Sequence, residues 1–248
     1  MGVSMKVLEK ILKESGGKKL HFALLDPEDQ SPKEAGRIAK LAQDAGSSAI
    51  MVGGSTISSV EQVDATVKAI KESCDLPVIL FPTAAKLLSP HADALFFMSL
   101  MNSRNLDFVM REHVKGAPYV KHVGLEPISM GYVVVEPGMT VGRVGEVDLL
   151  KKQDYESAVG YALSAEYLGM SMFYLEAGSG APEPVTNEMI VAVKKHATIP
   201  VVVGGGIRDA KTAAEKVAAG ADIIVTGTML EQDDPEKSLR EIIKAIRS

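Results

Sequence analysis

Three glycine-bearing turns in the C-terminal half of the sequence have the composition of an anion-binding site. They cover residues 174–180, 204–206 and 226–228, and each follows a short apolar run. Glycine lets backbone N–H groups approach an anion closely, and Asp209, just after the second turn, opens a predicted helix whose N-terminus favours negative charge. One such turn is often only a tight connection. The three together predict a phosphate site.

Two oxygen-bearing side chains in the N-terminal half are candidate Mg²⁺ ligands. Asp26 ends the first apolar run, in LLDPED, and Ser55 ends the second, in VGGST. Adjacent strands of a barrel would bring both oxygens to one mouth, and Mg²⁺ is usually held by one or two carboxylates, water and substrate phosphates. The residues leave a structural alternative open, in which Asp26 is a turn residue before Pro27 and Ser55 is a helix cap.

Glu176 is the candidate catalytic base. It ends the sixth predicted strand immediately before the AGSG turn, so its carboxylate would lie beside a bound phosphate. A carboxylate there can accept a hydroxyl proton from the ligand that carries the phosphate. The structural alternative is that Glu176 forms an ion pair with a lysine or arginine in the barrel mouth.

An apolar stretch rich in Leu, Phe and Met covers residues 87–88 and 95–101. It adjoins the connection 83–93, which contains Pro90 and is too short for a full helix. Such a stretch is more often core, but beside a missing helix it can line a groove for a long hydrocarbon chain. A second irregular stretch, 128–146, is long and rich in glycine. Loops after strands build the active site of a TIM barrel, so both stretches mark substrate-specific structure.

The order of elements along the chain predicts an α/β fold. Continuous apolar runs, typical of parallel strands covered by helices, occupy 20–27, 49–54, 77–82, 94–99, 122–127 (with a second run at 132–137), 172–177, 200–205 and 222–227. Amphipathic helical patterns occupy 1–15, 32–46, 58–74, 154–169, 187–197, 209–220 and 235–248. With no linker between them, these units predict one domain over 1–248, a modified TIM (β/α)₈ barrel in which a loop replaces the helix after strand 3.

Composition excludes several classes of protein. The net charge of −5 over 248 residues argues against a nucleic-acid partner. No run of about 18 apolar residues is present, so no transmembrane segment is expected. Cys74 is the one cysteine, which excludes an internal disulfide and, with the lack of a signal-peptide pattern, predicts a cytoplasmic protein.

The sequence resembles the geranylgeranylglyceryl phosphate synthase family, in its larger archaeal-type branch. The matching motifs are HFALLDPED, MVGGST, LFPTAAKLLSPHADALFFMSLMNS, GYVVVEPG, FYLEAGSGA, VVVGGGIR and VTGT, and they run through nearly the whole chain. The resemblance implies an Mg²⁺-dependent prenyltransferase that joins geranylgeranyl diphosphate to the C3 hydroxyl of sn-glycerol 1-phosphate. This is the first ether-forming step of archaeal phospholipid synthesis.

The resemblance also implies roles for individual residues. It implies Mg²⁺ at Asp26 and Ser55, and Glu176 as the base. The implied contacts of sn-glycerol 1-phosphate are Tyr132, Tyr174, Leu175, Glu176, Ala177, Gly178, Ser179, Gly180, Gly205, Gly206, Gly227 and Thr228. A homo-oligomer and a transient contact with the membrane surface for product release are further expectations.

Three other functions stay open from the sequence. A heptaprenylglyceryl phosphate synthase would carry out the same chemistry on a longer chain. A phosphosugar isomerase or synthase has similar phosphate loops but needs an acid–base pair, and no second carboxylate fits as well as Glu176. A non-catalytic phosphate- or lipid-binding barrel is the third.

Overall fold

The computed structural model describes residues 6–227 and 235–247, and its centre is a closed barrel of parallel strands. The strands follow one another around the barrel in chain order, and β8 closes it by pairing with β1. They are β1 Leu20–Leu25, β2 Ala49–Val52, β3 Val78–Leu80, β4 Ala94–Leu100, β5 Glu126–Val134, β6 Met172–Glu176, β7 Val201–Gly204 and β8 Ile223–Thr226. The predicted TIM-type barrel is confirmed.

Helices cover the outside of the barrel, and several begin at a side chain that caps the first turn. Ser31 accepts a hydrogen bond from the N–H of Glu34, and Asp209 accepts one from Thr212. Such caps satisfy N–H groups that have no partner within the helix. The helices are α1 Val7–Ser15, α2 Pro32–Ala45, α3 Val60–Ser73, α4 Glu112–Val123, α5 Met139–Val144, α6 Tyr155–Tyr167, α7 Asn187–His196, α8 Ala210–Ala218 and α9 Pro235–Ile246.

The core has two layers, because strand side chains point alternately into the barrel and toward the helices. The interior layer includes Phe22, Met51, Phe96 and Met130. The outer layer includes Leu25, Val52, Leu80 and Val203. Both faces of each strand are therefore buried, which explains why the strands are continuous apolar runs.

The connection from β3 to β4 contains only a 3₁₀ turn, Ala85–Leu87. The prediction that a loop replaces this helix is confirmed. After β4 the chain enters a π-helical turn, Asp107–Arg111, which continues into α4. The Ser99 hydroxyl on β4 donates a hydrogen bond to the carbonyl of Val109 in that turn, at 2.9 Å.

The predicted limits of the fifth strand are wrong. Residues 122 and 123 end α4, whereas β5 is one strand that includes 128–134, part of the stretch expected to be a loop. The polar start of β5 has a structural reason. Glu126 accepts hydrogen bonds from the N–H groups of Val7 and Leu8 at 2.8 and 3.0 Å, which caps α1 at the end of the barrel opposite the site.

Candidate active site

The three glycine turns meet at the carboxyl ends of β6, β7 and β8 and form one polar pocket. Its space is about 410 Å³, including the part open to solvent. The residues that line this polar pocket include Tyr174, Glu176, Ser179, Gly180, Gly205, Gly206, Arg208, Thr226 and Gly227. The sequence prediction that these separate turns form one site is thus supported by their positions in the fold.

Backbone donors make the polar pocket suitable for an anion. The N–H groups of Gly180, Gly205 and Gly206 donate to no acceptor within the described residues. Gly205 has a φ of +81°, and a Cβ there would collide with the Glu176 carboxylate. Arg208 adds a cation beside these donors, and its guanidinium binds the Gly180 carbonyl at 2.9 Å. Unpaired N–H groups in a glycine turn beside a guanidinium are typical of phosphate sites.

Glu176 is buried at the bottom of the polar pocket. Its Oε1 accepts a hydrogen bond from the N–H of Gly178 at 2.6 Å. Burial raises the pKa of this carboxyl, against the opposing effect of its hydrogen bonds. Within residues 6–227 and 235–247, no lysine or arginine forms a salt bridge with Glu176, so the ion-pair alternative gains no support.

Two tyrosines connect the polar pocket to a second cavity. Tyr132 on β5 and Tyr174 on β6 are paired in register, and their ring centroids lie 5.1 Å apart. Phe81 packs against both rings, at 5.4 and 6.0 Å. Burial raises the pKa of both phenols, and the nearby Glu176 charge adds to the effect. Both hydroxyls therefore stay protonated near neutral pH.

The second cavity is an apolar groove on the side of the barrel where the helix after β3 is missing. Its space is about 720 Å³, including the part open to solvent, which lies within the range of roughly 300–1,000 Å³ typical of small-molecule pockets. The residues that line this apolar groove include Ser55, Ala85, Leu88, Leu95, Phe96, Phe97, Met98, Leu100, Phe108, Gly116, Tyr132 and Val141. The predicted position of a groove beside the short connection is confirmed.

Asp26 lies next to Ser55 because its carboxylate packs against Gly54, the residue that precedes Ser55. Gly54 has no side chain, and a Cβ there would overlap the Asp26 carboxylate, so this carboxylate lies directly on the VGGST turn. Asp26 also shapes its own turn, since its Oδ1 accepts a hydrogen bond from Glu28 N at 3.0 Å. Ser55 is not the cap of α3, because Ser59 has that role.

Three residues of the 174–180 segment that were expected to contact the ligand are not among those that line the polar pocket, so these contacts stay predictions, and one lining residue was not predicted. Leu175 and Ala177 are buried in the outer core layer, so their side chains do not face the polar pocket. The N–H of Gly178 is occupied by Glu176. Thr228 lies outside the described residues. Arg208 was not predicted, although it lies two residues after the GGG turn and its charge is a signal for phosphate.

A closed (β/α)₈ barrel whose mouth joins a polar pocket to an apolar groove places the protein in the class of TIM-barrel proteins. The PcrB family model matches residues 9–246, and the chain belongs to this family. It is 50% identical over 249 residues to a geranylgeranylglyceryl phosphate synthase of Pyrococcus abyssi, covering 99% of this chain and 98% of the relative. The corresponding synthase of Picrophilus torridus is 48% identical over 244 residues, covering 98% and 100%.

A solved structure is similar over nearly the whole chain. It is the crystal structure of (S)-3-O-geranylgeranylglyceryl phosphate synthase from Thermoplasma acidophilum in complex with its substrate sn-glycerol-1-phosphate. The two structures superpose with a TM-score of 0.96 at 44% sequence identity, covering 98% of this chain and 99% of the other.

Proposed function

We propose that the protein transfers a geranylgeranyl group from its diphosphate to the C3 hydroxyl of sn-glycerol 1-phosphate. The observation that carries the proposal is the contact between Tyr132 in the apolar groove and Tyr174 in the polar pocket, at 5.1 Å. A polar phosphate ester and an apolar chain would therefore meet at one point, beside Glu176. The relatives' names and the ligand of the Thermoplasma structure support the same reaction.

The polar pocket is the proposed site of glycerol phosphate. The N–H groups of Gly180, Gly205 and Gly206 would donate to phosphate oxygens, with Arg208 as the balancing cation. The buried hydroxyl of Tyr174 lines the polar pocket beside the Glu176 carboxylate, and it would donate to the glycerol part. Fixing the phosphate orients the C3 hydroxyl toward the groove, and such positioning lowers the barrier by several kcal/mol, at most roughly 7–11.

Asp26 and Ser55 are the residues that would hold Mg²⁺. Their carboxylate and hydroxyl oxygens are ligand types that suit Mg²⁺, and the absence of a side chain at Gly54 lets the Asp26 carboxylate lie against the turn that carries Ser55. No cluster of three or more His, Cys, Asp or Glu side chains that could hold a metal ion occurs in the described residues. The ion would supply positive charge beside the diphosphate that leaves.

The proposed chemistry uses Glu176 as the base. A bond forms between the C3 oxygen of glycerol phosphate and C1 of the prenyl chain, while the bond from C1 to the diphosphate oxygen breaks. The hydroxyl proton moves to the Glu176 carboxylate, and the diphosphate leaves with the bonding electrons. A carboxyl whose pKa is raised by burial is a stronger base than an exposed one, which suits this role.

The pocket argues against a phosphosugar isomerase. Such an enzyme needs an acid–base pair, and the described part of the polar pocket contains Glu176 as its single carboxylate and no histidine. A longer prenyl chain remains the nearest competitor, because it differs only in the length of the apolar groove that it needs.

Mass spectrometry of competing reactions tests the proposal. Wild-type protein is incubated with Mg²⁺, sn-glycerol 1-phosphate and equal amounts of the C15, C20 and C35 diphosphates. We expect the C20 ether as the main product, no product with EDTA, and little with the sn-glycerol 3-phosphate enantiomer. A dominant C35 product would favour the heptaprenyl alternative, and saturable binding without any product would favour the non-catalytic one.

The remaining expectations concern the state of the protein in the cell. No helix in the described ranges is long and apolar enough to cross a membrane. We propose one prenyltransferase domain that acts in the cytoplasm as a homo-oligomer and touches the membrane surface transiently to release its lipid product. Light scattering on purified protein tests the oligomeric state.

A further inference from the structure

A buried histidine lies behind the polar pocket, on the outer face of the barrel wall. His21 on β1 is fully buried, and its neighbours Leu20 and Phe22 belong to the interior layer, so the imidazole points outward, toward the helices. Its ring bridges two buried hydroxyl groups. Nδ1 lies 2.8 Å from the Oγ of Ser47, and Nε2 lies 2.9 Å from the Oγ1 of Thr226. The proposed chemistry does not use this ring.

Thr226 is the point at which the bridge reaches the polar pocket. It ends β8 and lines the pocket together with the next residue, Gly227. The register of β8 against β7 ends at Ile224, whereas its register against β1 continues to Thr226. On the β7 side, the last residues of β8 therefore face the pocket instead of a paired strand. The hydrogen bond to His21 fastens this end of the strand from behind.

The other end of the bridge is anchored where α2 ends. The N–H of Ser47 donates to the carbonyl of Ala42, and the N–H of Ser48 donates to the carbonyl of His21, both at 2.8 Å. Burial, with the charge of Arg247 as a second cause, lowers the pKa of His21 to about 3, so the ring is neutral near neutral pH. A neutral imidazole has one donor and one acceptor nitrogen, and a hydroxyl can serve either, so both hydrogen bonds can form together.

We propose that His21 is a positioning residue for glycerol phosphate, which holds Thr226 so that the backbone of Thr226 and Gly227 keeps its place in the polar pocket. This inference rests on the proposed function. Close packing does not fix Gly227, because a Cβ there would meet only ordinary contacts with Leu24, at 3.4 Å or more. The strength of a hydrogen bond depends steeply on its geometry, so a small shift of this backbone would weaken binding of the anion.

A matched pair of variants at His21 tests the proposal. The amide of His21→Asn takes the place of Nδ1 and can keep the Ser47 contact, whereas the longer His21→Gln can keep the Thr226 contact. Both lose the imidazole, so their melting temperatures should fall by similar amounts. In calorimetric titrations, we expect the Kd for sn-glycerol 1-phosphate to rise about threefold to tenfold in His21→Asn, less than the roughly 10- to 100-fold cost of losing a hydrogen bond to a charged group. It should stay within about twofold of wild type in His21→Gln.

Thr226→Val approaches the same contact from the other side. It removes the hydroxyl, keeps the shape of the side chain and leaves the imidazole in place, so it decides the question if His21→Asn fails to fold. We expect the same rise in Kd, and no further rise in the double variant His21→Asn/Thr226→Val. Ser171→Ala is the control, because it removes a hydroxyl that lies 3.1 Å from that of Ser129, just before β6 at the other end of the barrel. Its Kd should match wild type.

The results separate the inference from the proposed function. A wild type that does not bind sn-glycerol 1-phosphate would overturn both. If the wild type binds, a Kd within about twofold of wild type in Thr226→Val and in folded His21→Asn would overturn the positioning role alone. Equal rises in His21→Asn and His21→Gln would also overturn it, because loss of the ring would then damage the barrel in general. So would independent, multiplying effects in the double variant.

Discussion

The polar pocket and the apolar groove lie on one barrel but are built in different ways. In the polar pocket, backbone atoms approach so closely that a Cβ at Gly205 would collide with the Glu176 carboxylate, and this carboxylate is itself held by Gly178. The apolar groove lies beside α4, which buries only two of its residues, and beside a 3₁₀ turn instead of a helix. We therefore expect small substitutions to matter far more in the pocket than in the groove.

The largest effect is expected at Glu176. Glu176→Gln keeps the shape of the side chain and an oxygen for the Gly178 N–H, but removes the proton acceptor. We expect kcat to fall by roughly 10²–10⁴, the usual contribution of a positioned base, with little change in affinity for glycerol phosphate. Glu183→Gln is the control, because it makes the same change of charge on an exposed side chain. A kcat within a few-fold of wild type would show that the proton leaves by another route.

A smaller loss of turnover is expected at Asp26. Asp26→Asn can still accept the hydrogen bond from Glu28 N, so the turn should survive, but the carboxylate charge is lost. We expect activity to fall at least about 10- to 100-fold at limiting Mg²⁺ and to recover in part at high Mg²⁺. Calorimetric titration with Mn²⁺ in the presence of diphosphate should show weaker binding. Asp29→Asn, in the same loop, should behave as wild type.

Gly205→Ala tests the close packing of the polar pocket. The new Cβ would displace Glu176 and disturb the N–H donors, so the KM for glycerol phosphate should rise by about 10- to 100-fold, the worth of one or two hydrogen bonds to a charged group. The KM for the prenyl diphosphate should change less. Gly169→Ala is the matched control, because Gly169 has a similar φ of +76° and open space around it. Equal losses in both variants would mean that backbone strain, not the pocket, is responsible.

Val141→Thr tests the tolerance of the groove. The substitution keeps the shape of the side chain and places a hydroxyl on the apolar wall. We expect the KM for the prenyl diphosphate to rise only about threefold to tenfold, near the worth of one buried methylene, with the KM for glycerol phosphate unchanged. Val191→Thr, on the exposed face of α7, is the control. A loss as large as that in Gly205→Ala would remove the contrast between the two regions.

The same contrast explains what the sequence could predict. Strands buried on both faces and glycine turns after β6, β7 and β8 have strong local patterns, so the barrel and the polar pocket could be predicted. Helix α4 could not. It has no broad buried stripe, and Gly116 and Pro118 interrupt it, so its sequence lacks the usual period. The limits of β5 were missed for a related reason, because Glu126 at its start serves to cap α1.

Contacts across strands were also beyond sequence reasoning. The Tyr132–Tyr174 pair depends on the register of β5 against β6, and no local pattern specifies that register. The N–H of Gly178 is a similar case, since only the fold shows that Glu176 uses it.

The smallest expected effect is on stability, because burial of the Glu176 carboxylate lowers the free energy of unfolding once this group is ionised. Burial raises the pKa of Glu176 in the folded state, so the folded protein binds more protons than the unfolded chain above the usual glutamate range, roughly pH 4–5. The free energy of unfolding therefore falls as the pH rises through this window and levels off above the raised pKa. Glu176→Gln has no carboxyl to ionise at this position, so it lacks this loss of stability. Its melting temperature should match wild type at low pH and exceed it increasingly toward neutral pH.

Glu166→Gln provides a control of opposite sign. Hydrogen bonds from Thr198 lower the pKa of Glu166, so this carboxylate stabilises the fold above the usual glutamate range and loses its effect as the pH falls. The Gln variant should therefore melt below wild type at neutral pH, with the difference vanishing in acid. Melting curves of the three proteins between about pH 4 and 8 make the comparison. If Glu176→Gln instead melts below wild type at neutral pH, the carboxylate stabilises the folded pocket, and the expected cost of its burial is wrong.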